Sequence, residues 1–403
     1  MATASTPVLN RHERALGIAV VVVATFFLGL AHGVGYPLTS LTFEAWGAPA
    51  WVTGLAAGMP ALAALVLLPF APRISARVGF VPAMAGGCAL GLLGFALLPL
   101  WQSVEGWMVL RFLMGLGLLF PWLLGETWIN TVSSEETRGR VLALYVVALF
   151  GGYGAGPIAL GFLPMDGHAP YVFGGVALLM ASIPLVLARR LAPPMEEHAT
   201  GGFLSIARAV PIGMVGALVA GVIEYSYIAL LPNFALRQGA SADTALHLVS
   251  AFLWGGVVLA FLFGWLADRM RRERLMLWLI AGFVALAVPA GLAVAVSPVL
   301  ALLAVFVLGG VACAYYTLGL AILGERLPVR DLASANAAFL VLYQLGTLGG
   351  PPAFGAAMEA MPPMGFVAAG VVFASLAGLA VVWLIRAERR AARTPAAMAA
   401  QSV

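Results

Sequence analysis

Apolar runs of 18 or more residues follow one another along nearly the whole 403-residue chain, and no other feature limits its fold as much. Each run is long enough to cross a hydrocarbon core of about 30 Å as a helix. Lipid offers no partners to backbone N–H and C=O groups, so only helices or closed barrels cross it. These runs are continuous and do not alternate, which excludes the barrel. Composition agrees, with 62% hydrophobic and 9% charged residues, against about 25% charged in a soluble domain. The expectation is an all-α integral membrane protein with twelve transmembrane helices in two pseudo-symmetric six-helix halves. The spans are placed at 15–37, 50–71, 80–101, 106–130, 140–163, 170–189, 209–233, 245–267, 275–296, 298–323, 333–358 and 365–387.

The segment before the first run, MATASTPVLNRHER, is polar and no small-residue cleavage site follows it, so the first span is expected to stay in the protein. All 21 basic residues are arginines, and all but Arg111 and Arg237 fall in segments on the side of the N-terminus. By the positive-inside rule both termini are cytoplasmic in a bacterial inner membrane. The same scatter of arginines between spans, on no single face, gives no nucleic-acid footprint despite a net charge of +4. Cys88 and Cys313 lie far apart inside apolar runs, which provides neither a metal site nor a disulfide framework. No cofactor is expected.

The longest polar stretch, ARRLAPPMEEHATGGFLSIAR, carries the Pro, Gly and charge content of a flexible linker. It divides the chain into a first half (1–190), a linker (191–208), a second half (209–387) and a cytoplasmic tail (388–403). The halves share a repeat. Gly152-x-x-x-Gly156-Pro157-x-x-x-Gly161 in the fifth span recurs 194 residues later as Gly346-x-x-x-Gly350-Pro351-x-x-x-Gly355 in the eleventh. Glycines four apart line one helix face and let a neighbour approach closely, while Pro removes a donor and permits a bend. Such internal symmetry is typical of secondary transporters. A second pair sits in the loops after spans two and eight, Pro72-x-x-x-Ala76-Arg77-x-Gly79 and Gly264-x-x-x-Asp268-Arg269-x-Arg271-Arg272.

These residues resemble the signatures of the major facilitator superfamily, whose loop motif reads G-x-x-x-D-R-x-G-R-R and whose fifth span carries G-x-x-x-G-P. Arg111-x-x-x-Gly115-x-Gly117 resembles the family's R-x-x-x-G-x-G, and Arg138-Gly139-Arg140 its R-G-R/K element. The run RFLMGLGLLFPWLLGETWIN…RGRVLALYVV, with LLPNFALRQG and LVLYQLGTLGGP, is similar to the YcaD-like group. The resemblance implies the major facilitator fold, a monomer, and a transport cycle in which a small-molecule substrate crosses the lipid bilayer. It also implies a latch at the cytoplasmic gate of the outward-open state. Because Ala76 replaces the acid of the first loop, and Arg271 stands where the second would have Gly, that latch should rest on Asp268 and Arg269, facing Glu325, Arg326 or Arg330.

An ionisable side chain near the bilayer centre costs about 2.5–3.5 kcal/mol on insertion scales, so each one needs a reason. Glu224, deep in span seven and just before the tyrosines of GVIEYSY, is the first candidate for proton exchange, because a carboxyl at that depth prefers its neutral form. A permanently hydrogen-bonded neutral Glu is the plainer alternative. Glu126 shares a face of span four with Trp122 and Asn130, which suits a cavity wall or a gate tied to Arg138 or Arg140. Arg111 lies about 22 Å along the same helix, too far to pair with Glu126. It serves either proton transfer, as proposed for relatives, or the capping of carbonyls on a neighbouring helix. His32, in GLAHGVGYP where Tyr36-Pro37 is read as the end of span one, is a packing residue or a third proton-handling group. Trp128, Asn130, Tyr225, Tyr227, Asn336, Tyr343 and Gln344 complete the candidate cavity, together with whichever of Tyr315 and Tyr316 faces inward.

The leading expectation is a proton-coupled carrier working by rocking of two halves, exporting a cationic or neutral organic compound. Uptake or uniport of an organic anion or a metal is the alternative; the 15 methionines form no Met-x-x-x-Met or His-x-x-x-Met pair. With neither H-E-x-x-H nor a Walker loop, an enzyme or an ATP-driven pump is not expected. A transport-dead assembly factor is the reading from another class.

Overall fold

The computed structural model describes residues 10–134, 136–193 and 209–400. Its helices are α1 (Arg11–Ala45), α2 (Ala50–Leu67), α3 (Ala71–Val78), α4 (Phe80–Leu97), α5 (Val104–Val132), α6 (Arg138–Gly161), α7 (Ala169–Leu187), α8 (Pro211–Arg237), α9 (Ala242–Ala267), α10 (Arg272–Val296), α11 (Pro298–Arg326), α12 (Val329–Ala360) and α13 (Gly365–Ala400). Of the expected linker, 194–208 lies outside the described residues, and the expected tail instead continues α13 to Ala400.

Local chemistry sets several of these ends. Asn10 caps α1 by accepting from the Glu13 amide at 2.9 Å while the Glu13 carboxylate accepts from the Asn10 amide at 2.8 Å, a capping box. Ser103, Ser241 and Ser297 cap α5, α9 and α11 with their hydroxyls. Gly79, at φ 101°, breaks the chain between α3 and α4.

Among the described residues eleven helices are long and apolar enough to cross a membrane. The twelfth expected span, 333–358, falls in α12, which has the length but carries Tyr343, Gln344, Thr347, Pro351 and Pro352 and does not reach that apolarity. The short α3 is a loop helix between spans two and three. The first span differs most from expectation. Pro37 does not end it, and α1 runs on for eight residues to Ala45. Pro37 withholds only its own donor, at the cost of one bond to the Gly33 carbonyl.

Long helices joined by short connections alternate in direction, so the bundle has a terminal end, where α1 begins and α13 finishes, and a far end opposite. The glycine repeat reappears as a repeat of packing. A Cβ on Gly152 or Gly156 of α6 would strike the α1 backbone at Phe26 and Gly33. A Cβ on Gly346 of α12 would lie 2.5 Å from the Leu218 carbonyl oxygen of α8, and one on Gly350 would lie 2.7 Å from the Val222 Cα. Thus α6 lies on α1 in the first half as α12 lies on α8 in the second.

The halves meet where α2 packs on α12, α6 on α9 and α1 on α8. These seams are tight at the far end. Gly58 of α2 faces Leu348, Gly355 of α12 faces Trp51, and Gly154 of α6 lies under the Trp254 indole. At the terminal end the described ion pairs join helices of the second half: Arg272 to Glu325 at 3.1 Å, Arg326 to Glu273 at 2.5 Å and Arg326 to Glu388 at 2.7 Å.

Candidate functional site

Aromatic and ionisable side chains from both halves converge where α1 meets α8. His32 of α1 lies 5.3 Å from the Tyr153 ring of α6 and 6.4 Å from Tyr36, one helical turn further along α1. Tyr36 meets Tyr225 of α8 edge-on at 5.5 Å, Tyr225 meets Tyr343 of α12 at 5.9 Å, and Tyr343 meets Tyr316 of α11 at 5.1 Å. The run crosses from one half to the other at the Tyr36–Tyr225 contact. Beside it lies Glu224, 3% exposed, whose carboxylate accepts from the Tyr343 hydroxyl at 3.2 Å. Among the described residues no arginine or histidine pairs with that carboxylate.

Arg111 approaches Tyr36 from the other side. Its guanidinium carbon sits 4.5 Å from the centre of the Tyr36 ring, a cation–π contact. Its Nε donates to the Ala56 carbonyl at 3.0 Å, and its Nη1 to the Gly35 carbonyl at 3.1 Å and to the Thr39 hydroxyl at 3.0 Å. Pro60 is one reason the first of these acceptors exists: a proline has no N–H to give the carbonyl four residues before it, here Ala56. Arg111 thus ties α5 to α1 and α2, and a small pocket lined by His32, Tyr36, Pro60, Phe95 and Met114 surrounds it. The structure gives it the carbonyl-bonding geometry.

Glu126 is half-buried on α5, in electrostatic range of Tyr145 on α6 and Tyr316 on α11, and among the described residues its carboxyl makes no hydrogen bond. It therefore faces across the gap between the halves. Asn130, on the same face, turns its amide back to the Glu126 carbonyl at 3.0 Å.

Three candidates are placed elsewhere. Trp128 is fully buried inside the first half, edge-on to Phe80 at 5.6 Å, on the opposite side of α5 from Glu126. Tyr227 packs among Phe252, Phe283 and Phe366 in the core of the second half. Tyr315 is fully buried and donates to the Leu279 carbonyl at 3.3 Å, so of the two neighbours it is Tyr316 that faces the cluster. Gln344 is buried next to Tyr343, and Asn336 is exposed two turns nearer the terminal end.

Of the motif residues, Gly115 packs against Pro60 of α2, while Arg77, Arg138 and Arg140 are exposed and Gly139 and Gly264 face open space. Asp268 closes α9 as its C-cap, and Arg269, just beyond the helix, lies 4.0 Å over the ring of Trp265 in its last turn. Among the described residues no ion pair or hydrogen bond joins Asp268 or Arg269 to Glu325 or Arg326; Arg326 is held by Glu273 and Glu388, and Glu325 by Arg272. The Arg330 side chain lies outside the described residues.

Sequence reasoning missed Tyr36 and Tyr153. The signal for Tyr36 was its spacing of four from His32, which puts both on one face; reading Pro37 as a stop hid it. Tyr153 lay unweighed between the motif glycines.

The family model of the Major Facilitator Superfamily matches residues 19–241 and 213–402. The chain belongs to this superfamily. Like its relatives it is a multi-pass membrane transporter. The uncharacterized MFS-type transporter YfkF of Bacillus subtilis is 28% identical over 379 residues, covering 91% of this chain and 93% of that one. The uncharacterized MFS-type transporter YcaD of Escherichia coli is 26% identical over 321 residues, 77% of each. Among solved structures, the nucleoside transporter NupG superposes with a TM-score of 0.72 at 12% identity, covering 92% of this chain and 99% of that one. A bacterial homologue of the human lysosomal transporter Spinster, inward-facing and unoccupied, gives 0.67 at 16% identity, covering 94% and 96%.

Proposed function

We propose that this chain is a proton-coupled secondary transporter of the bacterial inner membrane, moving a small organic solute by alternating access of its two halves, with export of a cationic or neutral compound favoured. The observation that carries the reading is Glu224: a carboxyl buried beside the contact between halves, bonded to one neutral hydroxyl and facing no described counter-ion. An unpaired carboxylate in the membrane is costly, so the group exchanges its charge for a proton or a cationic solute. Two ligands competing for one carboxylate, each bound from a different side, make an exchanger. The aromatic faces of Tyr36, Tyr225, Tyr316 and Tyr343 suit an organic cation or an apolar ring.

Arg111 gives little support to an anionic solute, because its Nε and Nη1 donate to Ala56, Gly35 and Thr39. A metal substrate has no support from the described residues, where no three His, Cys, Asp or Glu side chains gather. Applied to the bundle, the positive-inside rule makes the terminal end cytoplasmic and the closed far end periplasmic. The test is a panel in proteoliposomes of organic cations, neutral aromatics, organic anions and divalent metals, each run in both directions with and without a pH gradient. Accumulation of a cation or neutral compound against its gradient, driven by protons, is expected; movement of anions alone, or no proton dependence, would contradict the reading.

A further inference from the structure

We propose that Arg237 is the latch that holds the two halves shut at the far end, and that it works by letting the second half cap a helix of the first. The proposal rests on the alternating-access part of the reading above and not on proton coupling. Arg237 ends α8. Its Nε and Nη2 donate to the two carboxylate oxygens of Glu44, at the far end of α1, at 2.9 and 3.2 Å, a fork matched to a carboxylate across the seam between halves. Its Nη1 donates to Glu359 Oε1 at 2.8 Å, near the end of α12.

Glu359 does a second thing with the same oxygen. It accepts from the backbone N–H of Ala50 at 2.6 Å, the first residue of α2. The residue before, Pro49, has no side-chain cap to offer, so the orphan donor of α2 is met by a carboxylate from the other half, at the end where the helix dipole favours negative charge. Asn233, one turn before Arg237, donates to Glu44 Oε2 at 2.6 Å and bonds the Ser40 side chain. Each carboxylate therefore binds both halves: Glu44 of the first half is held by Asn233 and Arg237, and Glu359 of the second half holds Ala50. Opening the far end must split the Arg237 fork and uncap α2 together.

The seam can be read with a cysteine at Ala57, 2% exposed on α2 and packed into the core of the second half, in a background with Cys88→Ala and Cys313→Ala. A membrane-impermeant maleimide, added to vesicles of each orientation, reports how often the far end opens. Arg237→Gln should speed labelling about tenfold, the scale of one lost charge-assisted hydrogen bond. Glu44→Gln should do the same, and it carries the test if Arg237→Gln does not fold. Arg237→Gln combined with Glu44→Gln should be no faster than either alone, since both break one unit. Labelling of both single variants at the parent rate would overturn the latch, as would independent, multiplying effects. Labelling of no variant and not of the parent would count against alternating access itself, whereas failure of proton coupling would leave these rates untouched.

Discussion

A buried guanidinium needs compensation, and Arg111 finds it in two backbone carbonyls and a hydroxyl that accept from Nε and Nη1, and in the face of Tyr36. Lysine has the charge but not the planar fork. Arg111→Lys is expected to destabilise the protein by about 3 kcal/mol, seen as a lower melting temperature in detergent; an unchanged melt would contradict the assignment. Glu224 has one described donor, so Tyr343→Phe should cut proton-coupled flux about tenfold, the scale of a hydrogen bond to a charged group, with the melting temperature held. That Arg111 and Glu224 would be buried was legible in the sequence, because ionisable residues in apolar runs stand out. Their partners were not, since carbonyls have no letter in a sequence and the two tyrosines, Tyr36 and Tyr343, come from other helices, α1 and α12.

At the scale of helices, the two G-x-x-x-G-P copies announced close packing, and the structure shows which helices use it: α6 against α1 and α12 against α8. A side chain at Gly346 would enter the α8 backbone near Leu218, and backbone cannot step aside cheaply. Gly346→Val is expected to abolish folded protein in size-exclusion profiles. Gly264→Ala, at a motif glycine whose surroundings are open, should leave the melting temperature unchanged. Reversal of this order would show that the motif conserves shape at α9 and not at α12. Element boundaries were less legible. The Tyr36-Pro37 pair read as a stop, yet a proline past the first turn of a helix removes one bond only, and packing against α8 carries α1 on to Ala45.

For the whole molecule, the sequence showed two halves but not how they lean, because access states of a carrier differ by the closing of one seam or another, with the same residues in each. The structure is tight at the far end, where Glu44, Arg237 and Glu359 bridge the halves. The central claim is that a single carboxyl in that interface couples solute to proton. Its most direct test is Glu224→Gln in proteoliposomes, with proton-driven net transport and solute-for-solute exchange measured on the same preparation. Net transport driven by a pH gradient is expected to be lost while exchange persists, since the amide keeps the hydrogen bond to Tyr343 but has no proton to trade. Proton-driven transport at the parent rate in Glu224→Gln would contradict it.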